Sequence, residues 1–144
     1  MAAEVVTAII TASSAVALAG TSYWFTKKRE REAELRKEKL EHYKEFVTSL
    51  GGVINGESTP DSQRAFSLSC NKLNLIAPQS VLLALQEFQN EIKVSNTEKS
   101  LERHDKLMSQ LFYEMRKDLQ VTPSDDQNSF KVGLWASGVS PSRP

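Results

Sequence analysis

Residues 5–26 read VVTAIITASSAVALAGTSYWFT, and residues 27–31 follow at once as KKRER. The first of these stretches is 22 residues long and holds no charged side chain. At 1.5 Å rise per residue a helix of that length spans roughly 33 Å, about the thickness of a bilayer's hydrocarbon core. Tyr23, Trp24 and Phe25 stand where the aromatic belt of a membrane interface belongs, and Lys27, Lys28, Arg29 and Arg31 lie just beyond it. The junction reads as the end of a transmembrane anchor, residues 1–26, and it decides the fold class of everything that follows.

Two other readings compete. Ala17-Leu18-Ala19-Gly20 fits an A-x-A signal-peptidase pattern, but a signal peptide carries its positive charge ahead of the apolar run, and Met1-Ala2-Ala3-Glu4 has an acidic residue there. No cysteine follows the Ala-Gly pair, which argues against a lipoprotein anchor. A buried helix of a soluble protein is the third reading, since Thr7, Thr11, Ser13, Ser14, Thr21 and Ser22 temper the hydrophobicity. The positive-inside rule orients the uncleaved anchor, with the N-terminus outside and everything after Lys27 in the cytoplasm. Ala8, Ala12 and Gly20 fall on one stripe of the span and Ser13, Ala17 and Thr21 on the next. Small residues at such spacing let helices approach closely in lipid, so homo-oligomerisation through this face is a further expectation.

Beyond the junction the chain is nearly neutral: residues 32–144 hold 14 basic and 16 acidic side chains. Such a body argues against nucleic acid as a partner, because phosphate binding needs a basic face. The single cysteine, Cys70, has no partner for an intramolecular disulfide and suits a reducing cytoplasm. The length after the anchor accommodates one small domain.

Residues 27–50 form a charged juxtamembrane stalk helix. Within 27–45 there are eight basic and six acidic residues, with opposite charges at helical spacing around Arg36, Lys37 and Glu41. Leu40, Tyr43, Val47 and Leu50 then recur at 3-4-3 spacing, with Phe46 widening the stripe, so the last turns are expected to dock on the domain. Gly51-Gly52 ends the helix. Residues 51–121 are expected to form a cytoplasmic helical domain with helices over about 60–76, 78–94 and 98–119. Thr59 is the N-cap of the first and Pro60 its first residue; Pro78 separates it from the second. Phe66, Cys70 and Leu73 give the first helix its apolar face, with Leu75 and Ile76 near its end. Val81, Leu82, Leu85, Phe88 and Ile92 give the second its face. The third carries the longest amphipathic stripe, from Leu101 and His104 through Leu107, Met108, Leu111, Phe112 and Met115 to Leu119. Residues 122–144 read as a polar, irregular tail in which Phe130, Val132 and Leu134 alternate. The favoured expectation is a tail packed on the bundle with Trp135 tucked into a groove between helices. The fold class is therefore all-α: a transmembrane helix continuing into a stalk, then a small bundle with an extended tail.

Nothing in the chain names a reaction. His42 and His104 are the only histidines, and the pair His104-Asp105 lacks the further ligands of a metal-dependent phosphohydrolase. Cys70 lies on an apolar helical face with no pattern that activates a thiolate. Gly51-Gly52-Val53-Ile54-Asn55-Gly56 lacks the strand and the Lys-Ser/Thr pair of a phosphate loop. Glu87, Glu91, Glu98, Glu102 and Asp105 read as a solvated face rather than a di-metal site. No catalytic residue, metal ligand or cofactor site is expected. Arg116 and Asp118, near the end of the last helix, and Trp135 are the candidate partner-binding residues, with Phe88, Phe112 and Met115 in the core or on a groove in it.

Leu73-Asn74-Leu75-Ile76-Ala77-Pro78-Gln79-Ser80-Val81, followed by Ala84-Leu85-Gln86-Glu87-Phe88, resembles a stretch of an uncharacterised group of bacterial single-pass membrane proteins. So does His104-Asp105-Lys106-Leu107-Met108 running into Met115-Arg116-Lys117-Asp118-Leu119. The resemblance implies a bacterial inner-membrane protein with a small cytoplasmic helical domain, and it supplies no activity. The functional expectation is a membrane-anchored, non-enzymatic interaction module that presents its domain to a cytoplasmic protein, with the lipid bilayer as its other partner. The alternative is a self-associating membrane effector, of the defence or toxin-accessory kind, that perturbs the bilayer through the small-residue face of its span.

Overall fold

The computed structural model describes residues 2–51 and 58–134, with the side chains of residues 2, 3, 6 and 8–16 outside the description. Four α-helices follow one another: α1 (Ala2–Leu50), α2 (Pro60–Ile76), α3 (Gln79–Ile92) and α4 (Leu101–Asp118), and no strand occurs among the described residues. The all-α expectation holds. Two compact units divide the chain, Met1–Glu38 and Lys39–Pro144, so α1 contributes to both.

In the first unit, every described side chain is exposed, Tyr23, Trp24 and Phe25 among them. The ion pairs and ring contacts of its basic end are local. Lys27 pairs with Glu30 at 2.7 Å, Lys28 reaches Glu32 at 3.9 Å and lies over the Trp24 ring, and Trp24 meets Phe25 edge-on. Among the described residues no helix is long and apolar enough to cross a membrane. The expected span includes positions 6 and 8–16, whose side chains lie outside the described set.

In the second unit, one core gathers the last turns of α1 with α2, α3 and α4. Tyr43, Phe46 and Leu50 from α1 join Phe66, Cys70 and Leu73 from α2, Val81, Ala84, Leu85 and Phe88 from α3, and Met108, Leu111 and Met115 from α4. The docking face of α1 is rotated from the stripe read in the sequence. Leu40 and Val47 remain 38% and 36% exposed, and the buried line is Tyr43-Phe46-Leu50. The reason is what lies on either side of α1. Phe46 packs on Phe66, Lys72 of α2 reaches Glu45 at 2.6 Å, and the Ser49 and Ser69 hydroxyls meet at 2.7 Å. Lys39 and Tyr43 turn instead toward α4. These contacts centre the buried face between the two neighbours.

The helix boundaries have local causes. Thr59 caps α2 reciprocally: its hydroxyl accepts the Ser62 N–H at 3.1 Å, and the Ser62 hydroxyl accepts the Thr59 N–H at 2.8 Å. Ala77 is extended because Pro78 follows it, and Pro78 serves as the N-cap of α3 rather than as its first helical residue. Leu75, near the end of α2, is 87% exposed, while Ile76 packs against the core. Ser100 caps α4, which begins at Leu101 rather than near residue 98. At the other end of α4, the Gln120 N–H donates to Lys117 O and the Val121 N–H to Arg116 O, the paired bonds of a Schellman stop. Gln120 holds φ 55° there, in the left-handed region that favours glycine.

The tail then returns along α4. Asp125 accepts two bonds from the Arg116 guanidinium at 2.6 and 3.1 Å. Phe130 lies against Tyr113 and under Arg116, the Val132 N–H donates to the Ser109 hydroxyl, and Leu134 packs on the core. The tail is thus an extended segment laid on the bundle as far as Leu134. The expectation for Trp135 falls outside the described residues.

Candidate functional site

Three elements converge at one end of the bundle: the C-terminal turns of α1 and α3 and the N-terminal turns of α4. Between them is a cleft of about 390 Å³, walled by Leu50, Phe88, Ile92, Leu101, Met108 and Leu134, with Glu91, Lys99, Ser100, His104 and Asp105 at its rim. Phe88 and Met108 form its floor from the core itself, whereas Leu101 at the mouth is 82% exposed. Its lining is the continuation of the core to the surface.

The polar groups around this cleft are already satisfied within the chain. Glu91 is 3% exposed despite its charge. Its carboxylate accepts the Ser100 N–H at 2.9 Å and the Asn96 amide at 3.3 Å, and it lies 3.3 Å from Arg103 Nε. Asn96 also donates to Glu91 O, and Lys99 to Ile92 O. A buried carboxylate survives only with such partners. Glu91 therefore staples the loop between α3 and α4 and is not the solvated residue its spacing implied. His104 lies tilted against Phe88 with ring centroids 5.4 Å apart, its Nδ1 3.1 Å from Asp105 Oδ1.

The candidate partner-binding residues separate. Asp118 turns inward to α1, where Lys39 Nζ lies at 2.8 Å and the Tyr43 hydroxyl donates at 2.7 Å. An acidic side chain at a helix C-terminus opposes the helix dipole; these two groups offset that. Burial, with Asp118 beside it, pushes the Tyr43 hydroxyl well above the usual phenol range. Arg116 faces the opposite side and organises the tail through Asp125, whose carboxyl it holds below the ordinary carboxylate value by hydrogen bonding. The two residues act two positions apart on different neighbours and form no common site. Trp135 is outside the described residues. Phe88 and Met115 are buried in the core and Phe112 is half-buried against it.

What chemistry remains is limited. Burial pushes the Cys70 thiol above its ordinary value, which disfavours the thiolate a nucleophile requires. Among the described residues no group of three His, Cys, Asp or Glu side chains could hold a metal ion. One carboxylate oxygen, Glu114 Oε2, is buried without a hydrogen-bond partner among the described residues, its other oxygen accepting from Gln110 at 3.1 Å. Among the described residues the apolar cleft is a surface feature that the internal bonding does not consume. Comparison with protein-family models, with curated proteins and with solved structures finds no match to this chain.

Proposed function

We propose that this protein is a membrane-anchored, non-enzymatic interaction module whose helical domain offers the cleft at the end of α1, α3 and α4 to an apolar or aromatic side chain of a cytoplasmic protein partner. The observation that carries the reading is the contrast within the domain. Glu91, Arg116, Asp118 and Asp125 are committed to partners within the domain, while 390 Å³ of core-lined space stays open between Leu50, Phe88, Leu101 and Met108. An apolar recess with a polar rim is the usual anatomy of a docking pocket. The anchor reading rests on the 22 uncharged residues of 5–26, on their helical backbone within α1, and on three exposed aromatic rings beside a basic cluster. The same charges favour the N-out, C-in topology in a bacterial inner membrane, and the resemblance to bacterial single-pass proteins agrees with it.

The small-residue face supports self-association less well. The Thr21 hydroxyl donates back to Ala17 O and Leu18 O of its own helix, each at 3.0 Å, rather than offering itself to a neighbouring span.

The full chain tests both halves of the reading. With a photo-crosslinking residue at Leu101, one discrete protein adduct is expected in living cells, and none with the same residue at Val94, which is exposed elsewhere on the domain. Equal labelling at both positions would contradict a specific docking surface. A C-terminal alkaline phosphatase fusion should be inactive and a C-terminal fluorescent protein bright; the reverse pattern would overturn the topology.

A further inference from the structure

The basic cluster that follows the aromatic rings of α1 is not uniform. Lys27 lies 2.7 Å from Glu30 and Lys28 lies 3.9 Å from Glu32, so these two cations each face a carboxylate one turn further on. Arg29 and Arg31 are exposed, and their side chains have neither an ion pair nor a hydrogen bond among the described residues. The two arginines are two positions apart and therefore point to opposite sides of the helix. Arg31, seven residues after Trp24, lies on the Trp24 face; Arg29, four residues after Phe25, lies on the Phe25 face. Both rings are more than half exposed. Each face thus carries an open aromatic ring and, about 10 Å beyond Trp24 or about 6 Å beyond Phe25, a guanidinium without a partner. Helical side chains lean toward the N-terminus, which here is toward the rings. Rings of this kind sit at headgroup level in a membrane interface, so the guanidinium groups come to the depth of the lipid phosphates.

We propose that Arg29 and Arg31 bind the phosphates of anionic phospholipids, one headgroup on each side of α1, so that the protein gathers anionic lipid around its own anchor. Charge decides the occupant: residues 27–31 hold four basic side chains and one acidic. A guanidinium offers a planar fork to two phosphate oxygens, whereas an ammonium is a point charge. Ion pairing decides the residues. Drawing Lys27 or Lys28 to a lipid phosphate strips Glu30 or Glu32 of its cation beside a negative surface, and drawing the arginines strips nothing. This inference rests on the reading of residues 5–26 as an anchor, and it names the class of lipid that the anchor meets.

Trp24 is the reporter. The chain holds two tryptophans, so Trp135→Phe in the full-length protein leaves Trp24 as the sole indole. This protein is reconstituted in vesicles of phosphatidylcholine with a minority of phosphatidylglycerol. In one preparation the phosphatidylglycerol carries brominated acyl chains; in the other an equal amount of the phosphatidylcholine does. Bromine quenches the indoles it approaches, so the ratio of the two quenching constants reads the local preference for the anionic lipid. Both leaflets have the same composition, and insertion orientation does not enter. At low salt each arginine is expected to contribute about fivefold to this preference. Arg29→Gln with Arg31→Gln should bring the ratio close to unity, while Lys27→Gln with Lys28→Gln should keep most of it. Equal quenching by the two lipids would overturn the proposal and leave the anchor standing. A preference that the arginine and lysine pairs lose equally would also overturn it, because charge alone would then account for the effect. Absence of quenching by either lipid would place Trp24 away from the bilayer and remove the anchor reading itself.

Discussion

Helix α1 runs without interruption from Ala2 to Leu50, yet its two parts are held by different physics. Up to Glu38 the described side chains are exposed, and the ion pairs of Lys27 and Lys28 and the hydroxyl bonds of Thr21 and Thr26 reach no further than four residues along the same helix. From Lys39 onward the same helix contributes Tyr43, Phe46 and Leu50 to the core and bonds to residues as distant in sequence as Asp118. Helical propensity and local ion pairs suffice to keep the backbone regular through both, each pair adding only tenths of a kcal/mol. What differs is the solvent that completes each part: protein for the later turns and, on the proposal above, lipid for residues 5–26. A single regular element can thus belong to two environments, and its periodicity alone does not mark where one ends.

The largest test of this contrast pairs two phenylalanines on α1. Phe46→Ala should lower the unfolding free energy of the domain by about 3–5 kcal/mol, as removal of a fully buried aromatic does. Phe25→Ala should leave the denaturation midpoint unchanged and instead increase the fraction extracted from membranes at mild alkalinity. Equal effects on stability would erase the distinction between the two parts.

Next comes the bond between α1 and α4. Asp118→Ala should cost about 2–3 kcal/mol, because it strands the Lys39 ammonium and the Tyr43 hydroxyl in a largely buried site. Tyr43→Phe should cost about 1 kcal/mol, and the double substitution should be less than additive. The raised Tyr43 value carries a pH signature. Its contribution is complete below the ordinary phenol value of about 10 and is lost as pH rises beyond it toward the folded value, so unfolding should become easier only on the alkaline side. A double-mutant cycle in urea measures the coupling directly.

Much of this domain is legible in the sequence. Thr59-Pro60 states the start of α2 in capping chemistry, Pro78 forces the break before α3, and the stripe of α4 predicts Met108, Leu111 and Met115 in the core. What escapes is whatever depends on a neighbour. The rotated face of α1 follows from Phe66 and Ser69 on one side and Asp118 on the other, none of which its own periodicity reports. Glu91 has the spacing of a solvated carboxylate and is buried because the loop places the Ser100 N–H and the Asn96 amide on it. An acidic residue ending α4 is the one available hint that a cation must come from elsewhere; its source, Lys39, lies 79 residues earlier.

Two smaller effects sharpen the picture of the tail that follows α4. Gln120→Gly should raise stability by about 1 kcal/mol, since glycine accepts the left-handed turn without the steric cost of a side chain. This is checked by the shift in urea midpoint, and a loss of stability would show that the Gln120 side chain outweighs its backbone strain. The smallest change is expected from Arg116→Gln. It removes an ion pair that is partly open to water and should barely move the midpoint while loosening Phe130. The lowered Asp125 value gives the same contact an acid limit. It is complete above the ordinary carboxylate value of about 4 and is lost as pH falls through the depressed folded value, which the ring resonances of Phe130 would report.

The boundary within α1 can be read residue by residue. Spin labels at Leu18→Cys, Trp24→Cys, Leu35→Cys and Val47→Cys, each in a Cys70→Ala background in lipid vesicles, report whether a position meets oxygen dissolved in the bilayer or a water-soluble nickel chelate. Oxygen should dominate at Leu18, the two should be comparable at Trp24, and nickel should dominate at Leu35 and Val47. Nickel dominance at all four positions would contradict the anchor, and with it the division of one helix between two solvents.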